Sequence, residues 1–156
     1  MSDAPSDKPG VLIFPPLLFL ICLACGVIAH LVCPYRLALG PWLRGAGGVL
    51  VVAAIAFALR AQRVMRAAGT NVHPSLPATA VVSDGPFAIT RNPLYLTLLA
   101  IFAGIGVAAA SPAFLTLLVP LALVLHFGVV LREERYLETK FGDTYRDYRS
   151  RVRRWI

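Results

Sequence analysis

The sequence predicts an all-α fold: an integral membrane bundle of about four transmembrane helices, ending in an amphipathic C-terminal helix on the cytoplasmic side. Three observations predict it. Of the 156 residues, 58% are hydrophobic. The charges are segregated from long uncharged stretches. Four apolar runs each approach the roughly 20 helical residues needed to cross a bilayer core of about 30 Å. A formal charge of +7 suits either nucleic acid or an anionic membrane surface. Apolar runs of this length select the membrane, with membrane lipids and not nucleic acid as partners. One domain, 1–156, is the natural count.

The first run extends from Val11 to Cys33, with Pro15 and Pro16 placed to start or bend its helix. Cys22, Cys25 and Cys33 fall inside it as small buried residues, their odd number arguing against a disulfide framework. Cys22 and Cys25 have Cys-x-x-Cys spacing but no further ligands, so no metal is expected. Leu23-Ala24-Cys25-Gly26 faintly resembles a lipoprotein cleavage site. The run continues beyond it, however, and Asp3, Asp7 and Lys8 make a poor basic flank. The second run, Gly45 to Val64, ends at Arg60 and Arg63, whose stems can snorkel toward the surface. Gly45, Gly47 and Gly48 follow no strand and read as sites of close helix packing. The third run, Leu94 to Ala110, has a small face of Ala103, Gly104, Gly106 and Ala108, which reads the same way. The fourth runs from Ala113 to Leu131, where Pro120 frees the carbonyl of Thr116.

Only Ser111-Pro112 separates the last two runs, so they form a tight antiparallel hairpin that brings their polar ends to one face. Arg60, Arg63, Arg66, Arg91, Arg132, Arg135 and Lys140 gather there and place it in the cytoplasm, against which Arg36 and Arg44 weigh. The expected location is the bacterial inner membrane. The connection from Arg66 to Asn92 contains Pro74, Pro77 and Ser83-Asp84-Gly85-Pro86, and its length suggests a lid or binding element. In the tail, Leu137, Phe141, Tyr145, Tyr148, Val152 and Trp155 recur at helical spacing. A break is expected at Gly142-Asp143, with Asp143 or Thr144 capping the second piece. Arg146, Arg149, Arg151, Arg153 and Arg154 are expected to face lipid headgroups.

Topology explains the arginine of Arg132-Glu133-Glu134 but gives no reason for the two acids. Successive helix residues diverge by about 100°, so at most one is expected to face the bundle, where it needs a cationic partner. Asn92 and Pro93 read as N-cap and first helical residue, the Asn side chain accepting from free amides. Arg91 and Tyr95 then flank a positive helix end suited to a carboxylate. His126, seven residues before Glu133, falls on roughly the same face. A ligand bearing an ammonium, a carboxylate, a sulfonium and an adenine satisfies this inventory, though not uniquely. S-adenosylmethionine is such a ligand.

The order Gly85-Pro86-Phe87, Arg91-Asn92-Pro93-Leu94-Tyr95, a membrane hairpin, Glu133-Glu134, Phe141-Gly142, Tyr145 and Tyr148 closely resembles the isoprenylcysteine carboxyl methyltransferase family. More loosely, it resembles the related phospholipid methyltransferases. The resemblance covers roughly Ser83 to the C-terminus. It implies a cytoplasm-facing S-adenosylmethionine pocket in residues 83–156. Arg91, Asn92, Pro93 and Tyr95 stand in the family's Arg-His-Pro-x-Tyr segment. Glu133 and Glu134 match its paired glutamates, and Tyr145 and Tyr148 its aromatic tail positions. All eight are implied cofactor contacts. Asn92 replaces the commoner histidine and removes a titratable group.

The implied reaction is methyl transfer to a lipophilic small-molecule or lipid-linked acceptor, expected to be a carboxylate. Arg132 and His126 are the candidate catalytic residues near it. An amine-methylating lipid enzyme is one alternative. Another is a small transporter or scaffold in which Arg132 and Glu134 merely pair.

Overall fold

The computed structural model describes residues 9–32, 35–73 and 76–156. Asp3, Asp7, Lys8, Cys33 and Pro74 lie outside the described residues. The described chain is helical, without strands: α1 (Pro15–Val32), α2 (Pro41–Ala67), a 3-10 turn (Gly85–Ala88), α3 (Pro93–Ala108) and α4 (Pro112–Leu125). A π turn (His126–Val130) then leads into α5 (Leu131–Phe141), and α6 (Asp143–Arg151) follows. Proline opens each of α1 to α4. Its fixed φ suits the first helical position, and the donor it lacks would have no partner there.

Among the described residues three helices are long and apolar enough to cross a membrane: Pro15–Val32, Pro41–Ala67 and the continuous Pro112–Phe141. The third expected span, α3, is apolar but only 16 residues long, about 24 Å at 1.5 Å per residue. Pro93 fixes one end. At the other, Ala110 adopts a left-handed φ of 49° and turns the chain into α4. α1 begins at Pro15, later than Val11: the chain bends at Leu12 and Ile13, and the Leu12 amide donates to the Gly128 carbonyl at 3.1 Å.

Packing follows side-chain size. A Cβ on Gly47 would lie 2.6 Å from the Ala108 nitrogen and 2.7 Å from the Gly104 oxygen, so α2 and α3 meet backbone to backbone. Gly106 lies against Phe114 and Leu115, and Gly26 against Phe114. The close-packing expectation therefore holds for Gly47, Gly104 and Gly106. At Gly45 and Gly48 a Cβ would meet nothing within 4 Å, which corrects the expectation for those two. Phe102, Phe114, Leu121 and Leu125 form the buried centre of the bundle. Arg44, at the start of α2, donates from Nε to the Ala108 carbonyl at 3.0 Å, satisfying an acceptor at the C-terminal end of α3.

Beyond Pro120, which lies inside α4, the π turn interrupts the long fourth helix. The Leu131 amide donates to the His126 carbonyl five residues back. Such a turn shifts the register of everything beyond it. As a result, the faces of α4 and α5 are not related by simple helical counting.

Candidate functional site

The start of α3, the inner faces of α5 and α6, and loop residues 70–73 and 76–82 line a cavity of about 870 Å³, open solvent at its mouth included. Polar side chains tie the described parts of this loop together. Thr70 Oγ1 accepts from the Thr79 amide at 3.1 Å, and Asn71 Nδ2 donates to the Pro77 carbonyl at 2.8 Å. Across the cavity, the Tyr136 hydroxyl accepts from the Ala78 amide at 3.2 Å, fixing the loop to α5. Arg91, Asn92, Pro93, Tyr95, Glu133, Glu134, Tyr145 and Tyr148 all line this cavity.

Both acids reach it, which differs from the one-acid expectation. The cavity curves around α5, and the two carboxylates serve different walls. Glu133 faces the Tyr95 hydroxyl at the α3 start. Glu134, buried, faces two guanidiniums. Arg154 donates Nε to Oε1 at 3.0 Å and Nη2 to Oε2 at 2.9 Å, while Arg91 Nη2 lies 3.3 Å from Oε1. The Arg91 and Glu134 side chains are each 8% exposed. Arg91 is nonetheless only partly satisfied: its Nε and Nη1 are buried without a well-formed hydrogen bond, with the Tyr145 hydroxyl close by. Buried donors left unpaired cost free energy, so each of these two calls for a partner.

The tail is held more tightly than an interfacial helix requires. α6 ends at Arg151, and the extended segment after it lies along the α3 start. Arg91 N donates to Arg153 O, Thr90 Oγ1 to Arg154 O, and Asn92 Nδ2 to Arg154 O, each at 3.0 Å. Asn92 does occupy the N-cap position but makes no side-chain cap. Its amide is spent on the tail carbonyl, because a carboxamide can donate where a buried acceptor needs it. Arg154 is likewise corrected from headgroup-facing to inward-facing. The α6 cap falls at Gly142, whose φ is 53°, not at Asp143 or Thr144; Asp143 pairs with Arg146 instead.

Tyr145 and Tyr148 face inward and are buried. The Tyr148 hydroxyl donates to the Phe87 carbonyl at 2.8 Å, tying α6 to the 3-10 turn. Burial pushes the Tyr145 phenol up to about 12, with Glu134 adding to the shift and Arg91 opposing it. Tyr148 is raised as well, chiefly by burial. Because a raised phenol favours the protonated folded state, this contribution to stability is complete below pH 10 and is lost as the pH rises from there toward 12. Ultraviolet phenolate titration of Tyr145→Phe is expected to lack a component ionising near pH 12 that the unsubstituted protein shows.

The model of the family described as phospholipid methyltransferase matches residues 42–144, from α2 to the start of α6. The chain belongs to the phospholipid methyltransferase family. This is the looser of the two resemblances noted in the sequence. A 34-residue stretch is also 56% identical to an uncharacterized protein of Haemophilus influenzae, covering 22% of this chain and 54% of that protein. The chain thus spans about half the length of the curated relative it matches.

Within this phospholipid methyltransferase family member, the two residues expected near the acceptor are not among those lining the cavity. Arg132 donates from Nη1 to the Gly10 carbonyl at 3.2 Å. His126 accepts at Nδ1 from Trp155 Nε1 at 3.3 Å. The π turn begins at His126 and ends before Glu133, so straight helical counting does not relate their faces. Sequence reasoning missed Arg154 as a site residue, although its place beside the inward Trp155 was a signal that the tail turns into the bundle.

A second, apolar groove opens between the start of α1, α2 and α3, lined by Phe14, Pro15, Ala58, Leu98 and Ile101 among others. Val72, His73, Leu94 and Tyr95 line both spaces, so the groove meets the polar cavity beside Tyr95.

Proposed function

We propose that the protein transfers a methyl group from S-adenosylmethionine to the polar end of a lipophilic acceptor. The observation that carries this reading is Arg91: a buried guanidinium with two unpartnered donors, in a cavity that also presents the Glu133 carboxylate. Arg91 would hold the carboxylate of the methyl donor through the fork geometry that suits such groups. Glu133, oriented by the Tyr95 hydroxyl, would hold its ammonium. Glu134, with both oxygens engaged by Arg154, would position Arg91 and leave the ligand contact to Glu133. The donor supplies an activated methyl on a sulfonium, so this chain's task is to align an acceptor in line with it and exclude water.

The apolar groove supports a lipophilic acceptor, because a chain lying between α1, α2 and α3 would bring its polar end to the junction beside Tyr95. Two readings of that polar end have specific support. The motif order from Arg91 to Tyr148 favours a carboxylate, which is already a nucleophile. The family match favours a phospholipid amine, which must lose a proton. Membranes containing the protein, incubated with methyl-labelled S-adenosylmethionine, are expected to yield a labelled lipid by mass spectrometry. A labelled ester supports the carboxylate and a labelled headgroup amine the other reading. An unlabelled lipid fraction would overturn the proposal.

The division of labour between the glutamates is testable by substitution. Glu133→Gln keeps a hydrogen-bond acceptor for Tyr95 and removes the charge. It is expected to lower affinity for the donor on the order of tenfold with little change in thermal unfolding. Glu134→Gln is expected to cost on the order of 2 kcal/mol of stability, below the figure for a fully buried pair because Arg154 is 31% exposed. Unfolding curves with the opposite ranking would reverse these assignments.

A further inference from the structure

We infer that Arg154 is a positioning residue that keeps Arg91 free to bind a ligand carboxylate. This rests on the reading of the cavity as an S-adenosylmethionine site. Glu134 is the nearest acid to both arginines, and a buried carboxylate draws in whatever cation can form the fork–fork pair. Arg154 forms that pair, with both Glu134 oxygens engaged at 3.0 and 2.9 Å. Arg91 therefore reaches Glu134 only through Nη2, and its Nε and Nη1 stay unpartnered.

The backbone fixes this division of roles. The Arg154 carbonyl is held by Thr90 Oγ1 and Asn92 Nδ2, and the Arg153 carbonyl by the Arg91 amide. Next to it, the Trp155 indole donates to His126. The guanidinium of Arg154 thus enters from a strap clamped on both sides. Remove it, and Glu134 keeps a single cation. Arg91 would then turn its fork onto Glu134 and withdraw the two donors from the cavity.

The test compares two ligands on the full-length protein in detergent. S-adenosylhomocysteine carries the amino-acid carboxylate; 5′-methylthioadenosine carries the adenosine and sulfur without it. Arg154→Ala is expected to weaken S-adenosylhomocysteine at least about tenfold and to change methylthioadenosine affinity less than about twofold, within what substitutions without a direct contact produce. Adding Glu134→Gln to Arg154→Ala removes the charge that captures Arg91, so S-adenosylhomocysteine affinity is expected to recover part of the loss. Arg154→Lys, which offers no fork, is expected to fall between the two and serves if the alanine variant fails to fold.

Equal weakening of both ligands would show a merely structural strap and overturn the inference. Unchanged affinities would also overturn it. Absence of recovery in the double variant would mean that Arg154 itself holds the carboxylate, again against a positioning role. If the unsubstituted protein bound neither ligand, the cofactor reading beneath this inference would fall instead.

Discussion

Arg91→Ala is expected to reduce affinity for S-adenosylhomocysteine on the order of a hundredfold, with thermal unfolding in detergent changed only modestly. The loss is large because the substitution removes the donors that a bound carboxylate would use from a site where water does not fully replace them. The fold survives because Glu134 retains the bidentate contact with Arg154. Arg91→Lys keeps the charge but loses the fork, and its affinity is expected to lie between the two. Calorimetric titration beside an unfolding curve separates the outcomes. Collapse of the fold with Arg91→Ala would make Arg91 a structural ion-pair partner of Glu134 and not a ligand contact.

Gly47→Ala is expected to have the largest effect on stability outside the site, lowering it by about 1–3 kcal/mol, the cost of overpacking a close contact. Its Cβ would meet backbone atoms 2.6 and 2.7 Å away, and backbone cannot rotate aside as a side-chain tip can. Gly104→Ala, with Gly47 O and Val51 Cγ2 each 2.8 Å from its Cβ, is expected to behave similarly. Gly45→Ala and Gly48→Ala enter open space. They are expected to stay within about 0.5 kcal/mol or to stabilise slightly through helix propensity. Detergent unfolding of the four variants checks the ranking. The effect reaches the site because the helix docked at Gly104 carries Tyr95 at its other end.

The spans were legible because apolar length and proline punctuation act locally: Pro15, Pro93 and Pro112 open helices where the sequence places them. The eight residues implied as cofactor contacts converge on one cavity for a related reason. A three-residue hairpin turn leaves little freedom in how α3 and α4 pair, so Arg91-Asn92-Pro93 and Glu133-Glu134 come to the same side.

What was not legible depends on distant partners or on subtle backbone geometry. Nothing near Asn92 announces that its amide will serve a carbonyl 62 residues later in the chain. The π turn at His126–Val130 has no compositional mark, yet it breaks the helical count from His126 to Glu133. Gly45, Gly47 and Gly48 look alike in sequence, and only the approach of α3 singles out Gly47. Arg154 belonged by composition with the exposed arginines of the tail, and the break after Arg151 turns it inward.

The Arg91–Glu133 cavity is the proposed S-adenosylmethionine site. Titrating S-adenosylhomocysteine into the purified, detergent-solubilised protein in a calorimeter tests it most directly. A saturable isotherm with one site per chain, weakened in Arg91→Ala and in Glu133→Gln, is the predicted result. Heats that do not saturate, or an isotherm that neither substitution alters, would contradict it.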